Sequence, residues 1–373
     1  MGTISLLTHS FLDGYNQEYN RVFGGGLERY IADLCEVIRE AGEEPEVHQL
    51  SYFKPFHSVW NGVNVYGHNY HFDQVPQAFE AMAAQARGKL IYASCMWHPL
   101  TYRPGSLGIC HGINWDSPRL PHEAKSGVAA AIQNALLHLS AIVSVDSHFQ
   151  TYCRSVCCYE QSDLIKVIPN AVDTAYFVPG KIHAHTGGKL RIVYPRRISA
   201  ERGIVPMMRL ADELITRYPF LEVEFAGEIV KDSPVGDAFE VWRQAHPHSN
   251  RIFQNVYTFD TIRKAYHAAD IAVIPTIFSE GTSYACLEAL SCGLPVVSTN
   301  VGGLNDLIID GYNGLLVPPT SEALTAAVGR LVHDPSLRRR LGEAARRTAL
   351  AFDKRIWKRR WQTVLESYLD SPS

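Results

Sequence analysis

The chain has 373 residues, 46% of them hydrophobic and 20% charged, with a formal net charge of −3. That length suits two domains with buried cores, the composition is that of a globular protein, and the charge balance excludes a general basic field for nucleic acid. The most apolar stretch, 129–145, is interrupted by Gln133, Asn134 and His138 and falls short of the roughly 20 apolar residues of a membrane span.

The chain begins directly with an apolar strand. It has neither a basic region nor a cleavage pattern, so no signal peptide is expected. Strands are expected at 3–9, 46–50, 89–94, 107–110, 141–145 and 164–168, with helices at 27–40, 76–86, 122–139 and 147–158. This alternation predicts a parallel, doubly wound sheet. After the first strand comes a long polar loop with Asp13, Tyr15, Asn16, Gln17 and Glu18. It reads equally as an acceptor-binding lid or as a solvated loop. Phe23-Gly24-Gly25-Gly26-Leu27-Glu28 then opens the first helix, and its glycines permit close approach of a phosphate or sugar to the helix N-terminus.

The segment 51–72 is rich in aromatic residues, including Tyr52, Phe53, Trp60, Tyr66 and Tyr70. Packing over the sheet is favoured there above a sugar-stacking platform, and Asn61-Gly62 suits a hairpin turn. His111 ends the strand 107–110, a position from which an imidazole can hydrogen-bond a substrate or move a proton. Asn114, Trp115 and Asp116 follow and are expected on the acceptor side. Eight cysteines fit reduced thiols in a cytosol, which makes a cytoplasmic location the expectation. Cys153, Cys157 and Cys158 cluster without a second Cys/His pair at ligand spacing, so packed or surface thiols are favoured over zinc.

Residues 173–189 break the alternation and read as a linker. Strands then recur at 190–195, 221–226, 251–256, 271–275 and 295–299, with helices at 203–217, 235–245, 261–268 and 284–291 and beyond Ser321. The expected division is a first domain over 1–172, the linker 173–189, a second domain over 190–352, and a closing helix over 353–373 that packs back toward the first domain. The last stretch is basic, with Arg338, Arg339, Arg340, Arg346, Arg347, Lys354, Arg355, Lys358, Arg359 and Arg360. Solvated helix faces, with Trp357 and Trp361 packing inward, are favoured above attraction to an anionic membrane.

Two loops of the second domain carry the chemistry. Tyr194-Pro195-Arg196-Arg197-Ile198-Ser199-Ala200-Glu201-Arg202-Gly203 joins a strand to a helix, and Arg197 and Arg202 are cations five residues apart. Phe278-Ser279-Glu280-Gly281-Thr282-Ser283-Tyr284-Ala285-Cys286-Leu287-Glu288 holds two carboxylates with seven residues between them. Gly281 gives a turn, Ser283 caps, and Tyr284 opens a helix closed by Gly293. The amides around Gly281, Thr282 and Ser283 then form an anion site between Glu280 and Glu288.

This segment resembles the signature of retaining glycosyltransferases of family 4, which have the GT-B fold. The resemblance continues through Gly293-Leu294-Pro295-Val296-Val297-Ser298-Thr299, Gly302-Gly303 and Asp310-Gly311-Tyr312-Asn313-Gly314-Leu315-Leu316-Val317. It implies an α/β protein of two Rossmann-like doubly wound domains facing each other across a cleft. It further implies that Glu280 contacts the donor sugar's hydroxyls and Glu288 the ribose hydroxyls. Gly281, Thr282, Ser283 and Tyr284 would line the donor site, and Gly25 and Gly26 would lie beside the diphosphate. His111 matches a histidine at the family's reaction centre, and Arg197 and Arg202 match its two cations. Arg196 stands where the family usually has glycine, and Arg202 where it has lysine.

The implied partners are a nucleotide-sugar donor and a glycan, lipid or small-molecule acceptor, with the basic C-terminal helices as the route to peripheral membrane contact. The acceptor would attack from the face that the nucleotide leaves. No Asp-x-Asp pair occurs, so no metal or other cofactor is expected. Two alternatives are a nucleotide-sugar epimerase of the same fold and a catalytically silent sugar-binding protein.

Overall fold

The computed structural model describes residues 2–117, 120–180, 188–230, 232–278 and 280–370. The chain forms two compact units, one of residues 1–170 and 355–373 and one of residues 171–354.

The first unit is built on an eight-stranded sheet. Its spatial order is Ile165–Val167, Ala141–Ser144, Leu107–Cys110, Lys89–Tyr92, Thr3–Thr8, Glu44–Ser51, Val63–Asn69 and Phe56–Trp60. All neighbours are parallel except the last pair, which is antiparallel. That pair is a hairpin turning at Asn61 and Gly62, both with positive φ (45° and 75°), as a two-residue primed turn requires. Phe56–Trp60 alternates between half-buried and exposed residues, which suits an edge strand. The strand order reverses between Thr3–Thr8 and Lys89–Tyr92, so the switch point of this sheet lies beyond His9 and Ala93.

Two helices brace this sheet through one aromatic cluster. Gly26–Glu40 buries Tyr30, Ile31, Leu34, Val37 and Ile38, a stripe of helical period. The last helix, Lys354–Asp370, buries Trp357, Trp361, Val364, Leu365 and Tyr368, and its residues from Arg355 onward belong to this unit. Trp361 Nε1 donates to the Tyr30 hydroxyl at 2.8 Å, and the Tyr368 hydroxyl donates to Leu90 O at 2.7 Å. Lys358 pairs with Glu40 (2.6 Å) and Glu36 (3.3 Å). The inward packing of the two tryptophans follows from their i, i+4 spacing.

In the second unit six parallel strands run in the order Ile252–Asn255, Leu221–Ala226, Leu190–Tyr194, Ile271–Ile274, Val296–Thr299 and Gly314–Val317. Numbered along the chain, this is the 3-2-1-4-5-6 order of a Rossmann sheet. Its switch point lies between Leu190–Tyr194 and Ile271–Ile274, so the loops that follow these two strands face a common crevice.

The expected linker differs in one respect. Residues 173–180 pack into the second unit, where Val172 and Phe177 are buried in its core. Ser291 Oγ (2.6 Å) and Arg346 Nη1 (2.8 Å) both donate to the Phe177 carbonyl. Residues 181–187 of that expected linker lie outside the described residues. The helix expected at 261–268 is only Arg263–His267.

Candidate functional site

At the switch point of the second unit, Glu280 is the hub. It sits in the loop after Ile271–Ile274, 8% exposed. Its Oε2 accepts hydrogen bonds from Arg196 Nη2, from Arg202 Nη1 at 2.7 Å and from Thr276 Oγ1 at 2.9 Å. Burial disfavours the charged carboxylate, but the two guanidiniums and the threonine outweigh it and hold the Glu280 carboxyl below its usual range. Arg196 also donates to Ser283 Oγ at 2.6 Å.

Backbone packing places these groups. Gly302 and Gly303 run directly against the Glu280 loop, and Gly303 N donates to Glu280 O at 2.9 Å. A Cβ on Gly302 would lie 2.1 Å from Glu280 O, and one on Gly303 would lie 2.4 Å from Gly281 C, so only glycine fits there. Gly203 (φ +80°) does the same for the arginine loop, since a Cβ would lie 1.8 Å from Pro275 O. The buried Tyr194 hydroxyl sits 2.9 Å from Arg197 O and 3.1 Å from Arg202 O and closes that loop from beneath.

Tyr284–Ser291 is the expected helix, and Ser283 Oγ caps it by accepting from Cys286 N at 3.4 Å. Glu288, 5% exposed, accepts from the Tyr266 hydroxyl at 2.9 Å. Gly281 and Tyr284 are half-buried and Thr282 is buried. Arg197 is half-buried, and its side chain has no hydrogen bond or ion pair among the described residues.

Arg196 is the site residue that sequence reasoning passed over. In the sequence it stood out only as a departure from the family's usual glycine. The positive-φ residues other than glycine among the described residues are Gln17, Asn61, Cys95 and Asp232, so this position needs no glycine conformation. The signal in the sequence was the substitution itself, a cation where the family carries no side chain.

The first unit gathers a different set at its own switch point. His111 Nε2 lies 3.0 Å from Ala93 O, and its ring stands edge-on to Tyr30 at 4.8 Å. It faces a cavity of about 80 Å³ lined also by His9, Leu27, Ser94, Met96, Trp97 and Trp115. His9 was not anticipated, although it stands at the carboxyl end of the first strand. Its Nδ1 is 3.0 Å from Ser94 Oγ. Burial pushes both imidazoles down, His9 to about 4 with His98 adding to the effect, and His111 to about 3 against the pull of the Ala93 carbonyl. Both are neutral at pH 7. Cys95 beside them has φ +66°, a left-handed backbone uncommon outside glycine, asparagine and aspartate.

The remaining expected residues scatter. Trp115 packs in the core against Tyr152 and Trp97 while lining the same cavity. Asn114 is exposed, and Asp116 lies 3.6 Å from His148. Asp13 is fully buried and engaged by Arg21 (2.5 Å) and Asn16, so it organises its own loop. Tyr15 is 60% exposed. At Gly25, the N-cap of the first helix, a Cβ would lie 2.1 Å from Glu28 Oε2. The anion at that helix start is therefore the chain's own carboxylate, and phosphate approach to Gly25 and Gly26 would have to displace it.

Comparison with known proteins bears on the fold. The chain superposes on sucrose-phosphate synthase from Thermosynechococcus elongatus with a TM-score of 0.78, 18% identity and 99% coverage of both chains. It superposes on Anabaena HepE in complex with UDP-glucose with a TM-score of 0.74 and 16% identity, covering 98% of this chain and 100% of that one. The fold is GT-B, with two Rossmann-like units. Residues 180–348, which span most of the second unit, match the family Glycosyl transferases group 1. A D-inositol 3-phosphate glycosyltransferase of Acidothermus cellulolyticus is 30% identical over 230 residues, 57% of this chain and 49% of that protein. The chain thus spans about half the length of the curated relatives it matches.

Proposed function

We propose that the protein is a retaining glycosyltransferase that moves a sugar from a nucleotide-sugar to a hydroxyl acceptor. The observation that carries this is Glu280, held by Arg196 and Arg202 at the switch point of the second unit, with Glu288 on the helix that follows its loop. Departure of a nucleoside diphosphate builds negative charge on the leaving group. Arg197 and Arg202 meet that charge on a preorganised loop. Glu280 accepts from the donor sugar's hydroxyls and Glu288 from the ribose hydroxyls. Anabaena HepE, of the same fold, carries UDP-glucose in its structure, which supports a donor of this class here.

The acceptor is a glycan, a lipid-linked sugar or a small molecule that uses the neutral, largely apolar edge of the first unit. No metal or other cofactor takes part on this reading. Among the described residues no helix is long and apolar enough to cross a membrane. Peripheral attachment through the exposed Arg339, Arg340, Arg347, Arg359 and Arg360 is a finer proposal that co-sedimentation with anionic vesicles tests.

The deciding experiment is a thermal-shift screen of nucleotide-sugars, followed by nucleotide release with and without added acceptors. Acceptor-dependent release supports a transferase. Conversion of the donor with no acceptor would identify an epimerase, and binding without turnover a silent sugar-binding protein.

A further inference from the structure

The loop after Leu190–Tyr194 carries three arginines, and the structure does not use them alike. The Arg196 side chain is 8% exposed and reaches both Ser283 Oγ and Glu280 Oε2. Arg202 shares Glu280 Oε2 with it. Arg197 engages nothing with its side chain among the described residues. All three bonds received by Glu280 from Arg196, Arg202 and Thr276 end on Oε2, and no described side chain donates to Oε1. A glutamate's terminal torsion is broad and roughly two-fold, so a carboxylate facing a sugar needs something to fix its plane. A guanidinium, whose donors form a rigid planar fork, does this when its other arm is anchored.

Resting on the donor-site reading above, we propose that Arg196 is a positioning residue for Glu280. Braced by Ser283, it engages Oε2 within the protein and leaves Oε1 to the donor sugar's hydroxyls, while Arg197 and Arg202 meet the diphosphate, Arg197 with no ion pair of its own among the described residues. The family's usual glycine cannot do this, since it has no side chain. The arrangement also explains why an arginine tolerates such burial. It sits in a paired cluster, where removal of either partner leaves a buried charge uncompensated.

The test compares wild type with Arg196→Gly, Arg196→Lys and Arg197→Met. Calorimetry measures binding of a panel of nucleoside diphosphates and of the matching nucleotide-sugars, and kcat and KM are followed against pH. Arg196→Gly should bind the nucleoside diphosphate within about twofold of wild type but lose the extra affinity that the sugar adds, with turnover down roughly 10²-fold. Its acid limb should move to higher pH, because one of the two guanidiniums that keep Glu280 ionised is gone. Arg196→Lys keeps a charge but not the fork, so it should recover the acid limb and only part of the turnover. It gives the same reading should the glycine variant fail to fold. Arg197→Met should instead weaken the nucleoside diphosphate itself by roughly tenfold.

Wild-type turnover and an unchanged sugar increment in both Arg196 variants would overturn the assignment. So would a loss of nucleoside diphosphate affinity as large as that of Arg197→Met. A wild-type protein that binds none of the nucleotides overturns the donor-site reading itself, and this inference with it.

Discussion

The two switch points share a topology and differ in chemistry. Beyond Leu190–Tyr194 and Ile271–Ile274 the second unit concentrates charge, with Arg196, Glu280 and Glu288 buried and Arg202 only 26% exposed. Beyond Thr3–Thr8 and Lys89–Tyr92 the first unit carries two neutral imidazoles, Ser94 and an apolar wall of Met96, Trp97 and Trp115. The parallel sheet supplies only an edge where strand ends diverge. What binds there depends on the side chains of the loops. One edge offers buried charges, the other neutral hydrogen-bonding groups and ring faces.

The largest effect should come from emptying the charged edge. Replacing Arg197 and Arg202 together by Met should cut turnover by roughly 10³-fold, more than it weakens donor binding, because the charge they face is greatest in the transition state. Steady-state kinetics beside nucleotide titration checks this, and turnover within about twofold would remove both from the phosphate site. On the neutral edge, His111→Ala should lower turnover by roughly 10²-fold with nucleoside diphosphate affinity nearly intact. A matching loss of nucleotide affinity would erase the distinction between the two edges.

Glu288→Ala should weaken nucleoside diphosphate binding by about 1.5–3 kcal/mol, the value of a hydrogen bond to a charged group, and isothermal titration reads it directly. Equal affinities would remove Glu288 from the ribose site.

The edges should also separate by pH. His9 and His111 titrate at about 4 and about 3 when folded and near 6.5 when unfolded. The unfolded chain therefore binds more protons between these values. Their contribution to stability is complete above pH 6.5 and is lost as pH falls toward 4 for His9 and toward 3 for His111. Glu280, held below the usual glutamate value of about 4.5, contributes above that value and loses its contribution only on further acidification. Denaturant unfolding of wild type and His9→Asn across this range should show a flatter curve for the variant above pH 4.5. The smallest expected effect is none. Activity should survive thorough chelation if arginines supply the charge at the proposed phosphate site, and recovery by added magnesium or manganese would contradict that.

Local sequence determined the parts whose causes lie within a few residues. The helix Tyr284–Ser291, its Ser283 cap, the Asn61-Gly62 turn and the inward spacing of Trp357 and Trp361 were all legible, because capping, turn chemistry and helical period act over one or two turns. The alternation of strands and helices likewise foretold two doubly wound sheets. Only the tertiary structure decided which arginine holds Glu280, since Arg196 and Glu280 are 84 residues apart and meet because their strands are neighbours at a switch point. It also decided that 173–180 belong to the second unit, that the last helix docks through Tyr30, and that His9 joins His111 at one cavity. In each case the partner comes from a distant segment, and burial of apolar area, which carries no local signature, chose it.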